Sequence, residues 1–346
     1  MKSRLLVLSM AVCAIAAGLA AATASGHSTK TTGDQLVGAG SSFVAPLVSK
    51  WQADYPPKTG VQIVYSAIGS GGGIAAISNR TVDFGASDAP LSPDQFSACK
   101  GCFQIPWALG GVAVMVNVKT NAHAPLKISG PVLAQIYQGS VTTWNAPAIQ
   151  KLNPGVSLPS TKITPVYRND ASGTSYAFTD YLSAVSASFK SNVGFSTQPA
   201  FKVGVGAKGS AGVAGVVKNT DGAIGYADIA FAITNKIPVM AVKNAAGKYL
   251  TPGLVSIAAA AAAFNKVPAN NEMHITNPPK AAQRAYPIST YTYVIVPQVT
   301  SKASQLKRFI FYALTQGQKL GIPLRYVPIP VKVLVASEKT LNKVHS

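Results

Sequence analysis

Four short loops rich in glycine and hydroxyl residues hold most of the side chains in this sequence that could do chemistry. They read GAGSSF (38–43), IGSGGG (68–73), GASDAP (85–90) and RNDASGT (168–174). Each lies where the pattern leaves a strand and enters a helix. Small residues let backbone N–H groups approach a ligand, and a helix N-terminus attracts an anion through its unpaired N–H groups and its dipole. The four loops together predict a site wrapped around a small oxyanion.

The donors in these loops suit a phosphate ion. A buried polar group without a partner costs about 1–3 kcal/mol, so a dianion held away from water needs many donors. Arg168 could supply a bidentate, charge-assisted contact, and Asp170 is well placed to orient its guanidinium group. The remaining candidates donate through hydroxyl or backbone N–H groups and are Ser42, Phe43, Ser70, Ser172, Gly173 and Thr174.

Asp88 gives the site its expected selectivity. A carboxylate repels a fully ionised anion, but it can accept the proton that phosphate usually carries near neutral pH. Sulfate has no such proton and would leave the carboxylate facing an oxyanion. The site should therefore bind phosphate much more tightly than sulfate. Each residue also has an ordinary structural interpretation: Ser42 as a helix cap, Asp88 as a turn residue, and Arg168 with Asp170 as a surface pair of little energetic value.

Strand-like and helix-like segments alternate along the chain, which predicts an α/β fold. The residues 61–65, 112–116 and 291–296 are β-rich, and the second of these runs is continuously apolar, as expected of a strand buried on both faces. Ser129 is a candidate N-cap for a helix that ends at Gly139. The length suits two domains of about 150 residues.

The N-terminus predicts export. Lys2 and Arg4 precede an apolar stretch over residues 5–22, and small residues before Ser25 offer a cleavage site after Ala24. A membrane anchor is the alternative, but the apolar stretch is rich in alanine and no second stretch follows it. We therefore expect residues 1–24 to be a signal peptide and the mature chain to be periplasmic or extracellular.

Composition describes a folded, basic protein. Apolar residues make up 48% of the chain and charged residues 12%, and the net charge is +19. Loss of Lys2 and Arg4 with the signal peptide leaves the mature chain strongly basic. The basic residues are scattered singly, without a run of five or a stripe interleaved with aromatics, so we expect no nucleic-acid partner.

Cys99 and Cys102, in the sequence CKGC, are the cysteines that remain after cleavage. A zinc site would need further ligands, and a redox motif would place the first cysteine at a helix N-terminus in a thioredoxin-like unit. In an exported protein the pair favours a local structural disulfide.

Seven motifs in order resemble one family, the extracytoplasmic phosphate-binding proteins of high-affinity phosphate ABC transporters (PstS-like). They are GAGSSFVAPLVSKW, IGSGGGIAAI, VDFGASDAPLS, IYQGSVTTWNAPAIQKLNPG, RNDASGTS, GAIGY and YPIST. The resemblance covers residues 36–330. The sequence departs from the family where Ser42 replaces a common threonine, where Ala171 replaces a common glycine, and in its CKGC segment.

The resemblance implies a type II periplasmic-binding-protein fold with a ligand cleft between two lobes joined by two hinge crossings. Lobe I would be residues 25–106 with 287–346, and lobe II residues 107–286. The chain would capture phosphate without cofactor, metal or catalysis and deliver it, as a monomer, to the permease subunits of an ABC transporter. The implied phosphate ligands are Ser42, Phe43, Ser70, Asp88, Arg168, Ser172, Gly173 and Thr174.

Two other functions stay open at this point. One is a secreted scavenger or surface protein that binds phosphate outside transport, supported by the basic charge. The other is a secreted phosphatase, which would need a nucleophile with a base, or clustered metal ligands. The four histidines lie far from the loops in sequence (His27, His123, His274 and His345) and the acidic residues do not form metal-like clusters, so we expect no enzyme.

Overall fold

The structure is a computed structural model that describes residues 34–264 and 266–346. The expected signal peptide and the cleavage site after Ala24 lie outside the described residues. Within those residues, every helix falls short of the length and apolar character that crossing a membrane requires.

Strands and helices alternate, which confirms the expected α/β class. The strands are β1 (Gln35–Gly40), β2 (Gln62–Ser66), β3 (Phe84–Ser87), β4 (Cys102–Asn117), β5 (Lys127–Ile128), β6 (Thr164–Arg168), β7 (Val205–Ala207), β8 (Ala223–Asp228), β9 (Ala241–Lys243), β10 (Tyr249–Leu250) and β11 (Ser289–Pro297). The helices are α1 (Ala45–Asp54), α2 (Pro56–Thr59), α3 (Ser70–Ser78), α4 (Pro93–Ala98), α5 (Gly130–Gln138), α6 (Pro147–Gln150), α7 (Gly173–Val185), α8 (Ala187–Asn192), α9 (Gly209–Asn219), α10 (Ile229–Asn235), α11 (Leu254–Ala262), α12 (Ala303–Leu314) and α13 (Val331–Leu341), with a 3₁₀ helix over Gln316–Leu324 between the last two.

The predicted elements are present, with two differences, in the length of one strand and in the capping of one helix. The apolar run at 112–116 belongs to β4, which is 16 residues long, beyond the 3–10 residues of most strands. The β-rich run at 291–296 belongs to β11, which is buried along its whole length. The helix predicted after Ser129 ends at Gly139 in the left-handed conformation, although the Ser129 hydroxyl makes no capping bond.

The long strand β4 links two parts of one curled sheet, whose strand order is β2-β1-β3-β11-β4-β8-β6-β7. Its first part pairs with β11, ending at Gly111 opposite Ser289. Its last part pairs with β8, beginning at Val112 opposite Asp228. The strand therefore changes partner within two residues, and the sheet is continuous through that point.

Aromatic pairs pack on each part of the sheet, within one hydrophobic cluster that spans both parts. On the β11 side of β4, Trp51 packs on Trp107 with ring centroids 4.9 Å apart, and Trp51 Nε1 donates to the carbonyl oxygen of Gly317 at 3.0 Å. On the β8 side, Phe178 stacks on Tyr226 with centroids 4.1 Å apart. Buried aromatic pairs of this kind add about 0.5–1.5 kcal/mol each beyond their area, so they contribute to the stability of both parts.

The structure confirms the disulfide between Cys99 and Cys102. It joins the end of α4 to the first residue of β4. The Arg80 guanidinium covers this junction, because it donates to the carbonyl oxygens of Ile77 and Cys99 at 2.7 and 2.8 Å. The crosslink therefore anchors the start of the strand that both parts of the sheet share.

We expect a double Cys99→Ser, Cys102→Ser variant to lose about 2 kcal/mol of unfolding free energy, because a short closed loop removes little entropy from the unfolded chain. Urea unfolding of the mature protein measures this. Dithiothreitol should destabilise the wild type by a similar amount and leave the variant unaffected. An unchanged unfolding midpoint in the variant would show that the disulfide contributes nothing to stability.

Candidate functional site

The four loops meet at one place. β1, β2 and β3 are parallel neighbours, so the loops that follow them leave the same edge of the sheet. The loop after β6 reaches them from the other part of the sheet: Gly71 N–H donates to the carbonyl oxygen of Ala171 at 2.9 Å, and Gly173 N–H donates to Ser70 Oγ at 3.0 Å. The eight residues predicted to bind an anion are thus brought together by hydrogen bonds or as chain neighbours.

Two helix N-termini open at this junction. α3 begins at Ser70 and α7 at Gly173, the two residues joined across the site. Both helices start with small residues, although the N–H groups of Gly71 and Gly173 are already hydrogen-bonded across the site. An anion held here would be stabilised by both helix dipoles, a common arrangement at anion sites.

Asp88 lies at the centre of the site and is 2% exposed. Its Oδ1 accepts from Ser41 Oγ and from Thr292 Oγ1, the latter at 2.8 Å, and its Oδ2 accepts from Thr174 Oγ1 at 3.3 Å. Burial raises the pKa of Asp88 to about 6, and the hydrogen bonds from Ser41 and Thr292 oppose that rise. The carboxyl group is therefore ionised at neutral pH, although burial destabilises its charged form. Its Oδ2 can still accept a further hydrogen bond.

Arg168 supplies the positive charge and is 3% exposed. Its Nε donates to Asp170 Oδ1 at 2.7 Å and its Nη2 to Asp170 Oδ2, while Nη1 lies 3.4 Å from Ser210 Oγ. Burial would raise the pKa of Asp170, but the Arg168 guanidinium and the N–H of Gly209 lower it below its usual range. The pair is a bidentate contact between a buried guanidinium and a partly buried carboxylate, and Asp170 fixes one edge of the guanidinium.

The hydroxyl groups of Ser70 and Ser172 accept hydrogen bonds from backbone N–H groups. Ser70 Oγ accepts from the N–H of Asp88 at 3.2 Å and of Gly173, and Ser172 Oγ accepts from the N–H of Ser175 at 3.1 Å. Within residues 34–264 and 266–346, neither hydroxyl proton is donated to another group. Each of these two hydroxyls therefore keeps a proton that it could donate.

In the GAGSSF loop, the backbone N–H of Phe43 is not free to donate to a ligand as expected. The Phe43 N–H donates to Ser41 Oγ at 3.0 Å, so this predicted donor is engaged within its own loop. Ser42 Oγ accepts from Ser210 N–H at 3.0 Å and lies 3.0 Å from Ser210 Oγ. Because Ser210 also contacts Arg168, it ties this loop to the guanidinium group.

Close approach across the site requires glycine at two positions. A Cβ atom at Gly173 would lie 2.6 Å from the backbone nitrogen of Asp88, a distance no side chain tolerates. A Cβ at Gly69 would lie 2.4 Å from Asp170 Oδ2, and Gly69 also has φ +88°, which favours glycine. These glycines let the two sides of the site touch.

Three residues that position the site were missed by the sequence analysis. Ser41 precedes a predicted ligand within the same motif and was readable as a second hydroxyl. Ser210 follows β7 at the start of α9, in the small-residue stretch AKGSAG (207–212), which has the same strand-to-helix character as the four loops. Thr292 lies within β11, and nothing in its neighbouring sequence indicates a role in the site.

Hydrolytic machinery does not converge on this site among the residues described. His123 is exposed, His274 pairs with Glu272 at 2.8 Å, and His345 contacts the carbonyl oxygen of Lys343. In the same residues, no group of three or more His, Cys, Asp or Glu side chains could hold a metal ion. The arrangement is that of an anion receptor with one internal proton acceptor.

Comparisons with known proteins agree with this geometry. The profile of the PBP superfamily domain matches residues 25–316. The phosphate-binding protein PstS of Xylella fastidiosa (strain Temecula1) is 42% identical over 305 residues, covering 87% of this chain and 83% of the relative. That of Pasteurella multocida is 35% identical over 308 residues, covering 88% and 89%.

The fold is also shared with solved structures. A high-affinity periplasmic phosphate-binding protein, PfluDING, bound with phosphate, superposes with a TM-score of 0.71 at 22% identity, covering 88% of this chain and 93% of the other. The chain therefore has the two-lobe α/β fold of periplasmic binding proteins, as the sequence motifs implied.

Asp88 predicts a pH-dependent stability that its amide variant lacks. The folded state binds the Asp88 proton more tightly than the unfolded state does, because the pKa rises from 3.8 to about 6 on folding. Stability therefore falls as pH rises through this window. Relative to Asp88→Asn, the wild type should lose about 2.4 kcal/mol of unfolding free energy between pH 4 and pH 7. Urea unfolding of both ligand-free proteins measures this, and parallel pH profiles would contradict the assignment.

Proposed function

The chain belongs to the PBP superfamily and, within it, to the family of the phosphate-binding protein PstS, and we propose that it captures one inorganic phosphate between its lobes and delivers it to an ABC permease. The proposed ligands are Ser42, Phe43, Ser70, Asp88, Arg168, Ser172, Gly173 and Thr174. Phe43 would turn its N–H from Ser41 to the anion, or share it between the two.

The observation that carries the proposal is a buried acceptor placed among donors. Arg168, the free hydroxyl protons of Ser70 and Ser172, and two helix N-termini attract an oxyanion, whereas the Asp88 carboxylate repels one that lacks a proton. Monohydrogen phosphate satisfies both, because its P–OH can donate to Asp88 Oδ2 while its other oxygens accept. Sulfate satisfies only the donors, so the same geometry disfavours it.

The lobes we propose are residues 25–106 with 287–346, and residues 107–286. Asp88, Ser42 and Ser70 then belong to lobe I, and Arg168 with the start of α7 belongs to lobe II. The first crossing lies on or beside β4, which continues through Pro106 and changes partner after Gly111. Separation of the lobes would break the Ser70–Gly173 and Ser42–Ser210 contacts and open the site to ligand.

We propose binding rather than catalysis for these residues, because the Asp88 carboxylate is engaged as an acceptor by three hydroxyls, of Ser41, Thr292 and Thr174. The relatives are named as binding proteins, and the structural neighbour PfluDING is described as periplasmic. We propose that this chain works outside the cytoplasmic membrane as a monomer, after cleavage behind Ala24, which the intact mass of the exported protein would test.

Asp88→Asn should reduce the preference for phosphate over sulfate at least tenfold, about 1.4 kcal/mol. The amide can donate to a fully ionised oxygen, so it removes the penalty against sulfate. Equilibrium dialysis of ligand-stripped protein with labelled phosphate and sulfate measures the ratio. Asp94→Asn, an exposed position in the first turn of α4, is the control. An unchanged ratio in Asp88→Asn would refute the proton-acceptor role.

Gly173→Ala should weaken phosphate binding at least tenfold, because its Cβ would collide with the backbone of Asp88 and hold the two sides of the site apart. Gly215→Ala is a matched control, since a Cβ there meets nothing within 4 Å, and it should keep wild-type affinity. Calorimetric titration of each variant with phosphate decides this. Equal affinity in both variants would mean that the contact between Gly173 and Asp88 is not needed for binding.

A further inference from the structure

Ser41 is a fully buried residue of the GAGSSF loop that stands outside the proposed set of ligands. Its hydroxyl donates to Asp88 Oδ1 at 2.5 Å and accepts from the N–H of Phe43 at 3.0 Å. Those two groups are the proton acceptor and one of the donors proposed for phosphate. A single hydroxyl therefore bridges two groups that the ligand is proposed to use.

The backbone of Ser41 is held on both sides, which gives its hydroxyl a fixed place. The N–H of Ser41 donates to the carbonyl oxygen of Ala86 at 2.9 Å, and its carbonyl oxygen accepts from the Tyr65 hydroxyl at 2.7 Å. A Cβ at the preceding Gly40 would lie 2.1 Å from the same carbonyl oxygen of Ala86, so the end of β1 lies close against β3. With the backbone fixed, the hydroxyl leaves either partner by rotation about the Cα–Cβ bond.

A hydrogen bond from an N–H to a serine hydroxyl two residues earlier is common in turns, and Ser87 shows its ordinary form. Ser87 Oγ accepts from the N–H of Ala89 at 3.1 Å and gives its own proton to the carbonyl oxygen of Ala89 at 2.6 Å. Ser41 instead gives its proton to Asp88, outside its own loop. The turn at Ser41 is therefore coupled to the proposed binding groups, whereas the turn at Ser87 closes on itself.

The Ser41 hydroxyl offers Phe43 what an oxygen of phosphate would offer, an acceptor for a buried N–H. A buried N–H without an acceptor is costly, so this contact stabilises the ligand-free site. Asp88 is different, because Ser41 and Thr292 both donate to its Oδ1 and leave acceptor capacity on Oδ2. Phosphate therefore competes with Ser41 for the Phe43 N–H, but it does not compete with Ser41 for Asp88.

We propose that Ser41 is a positioning residue that acts as an internal substitute for phosphate: it satisfies the Phe43 N–H in the empty site and gives up that donor when the anion binds. This inference rests on the proposed phosphate-binding function. Because binding exchanges one hydrogen bond for another at Phe43, the hydroxyl lowers the affinity of the site and speeds the release of the ligand. Faster release suits a chain that is proposed to deliver its ligand to a permease.

The test compares Ser41→Ala with Thr292→Val, by calorimetric titration of ligand-stripped protein with inorganic phosphate. Each variant removes one hydroxyl that donates to Asp88 Oδ1, but only Ser41→Ala also frees the Phe43 N–H for the ligand. We expect Ser41→Ala to bind phosphate at least tenfold more tightly than Thr292→Val and to release it more slowly in stopped-flow dilution. Ser41→Cys, whose sulfur is a weak acceptor, should also bind more tightly than Thr292→Val and replaces Ser41→Ala if that variant does not fold.

NMR of the Phe43 amide group tests the exchange of partners itself. In the ligand-free wild type this amide donates to Ser41, so its proton should resonate downfield of its position in the ligand-free Ser41 variant. With phosphate bound, the two proteins should give nearly the same resonance. Affinity in the Ser41 variant no greater than in Thr292→Val, or a resonance difference unchanged by phosphate, would overturn the inference. Failure of the folded wild type to bind phosphate would instead overturn the proposed function.

Discussion

The structure depends on keeping an ionisable carboxyl group, Asp88, out of water and inside a ring of donors. Three hydroxyls fix its position, from Ser41, Thr292 and Thr174. Burial makes its ionised form costly, and its pKa rises to about 6 in consequence. Under the proposed function the same cost gives the site its selectivity, since a ligand that brings a proton relieves it and a ligand without one adds to it. An exposed carboxylate would be solvated and could not discriminate in this way.

The fold serves this constraint by bringing small residues from both parts of the sheet into contact. β4 is shared, so the strands that carry the GASDAP and RNDASGT loops belong to one continuous framework. The glycine at 173 then allows the start of α7 to reach the backbone of Asp88. The proposed ligands and the contacts between the proposed lobes are therefore neighbouring residues.

Local sequence predicted what depends on local chemistry. The α/β class, the Cys99–Cys102 disulfide and the convergence of four loops could all be read from strand-to-helix transitions and small residues. The role of Thr292 could not be predicted from the sequence, because its contact with Asp88 is set by the antiparallel register that places Tyr293 opposite Ser87. The full length of β4 was also missed, since Pro106 and the paired glycines that follow it resemble a break in a strand. Tertiary pairing overrides such local signals.

The most direct test of this account is a calorimetric titration of the ligand-stripped mature protein, first with inorganic phosphate and then with sulfate at the same pH and ionic strength. The account predicts saturation at one phosphate per chain and no measurable heat of binding with sulfate. Equal responses to the two anions would contradict the role of Asp88 as a proton acceptor. A folded sample that responds to neither would contradict the assignment of the site itself.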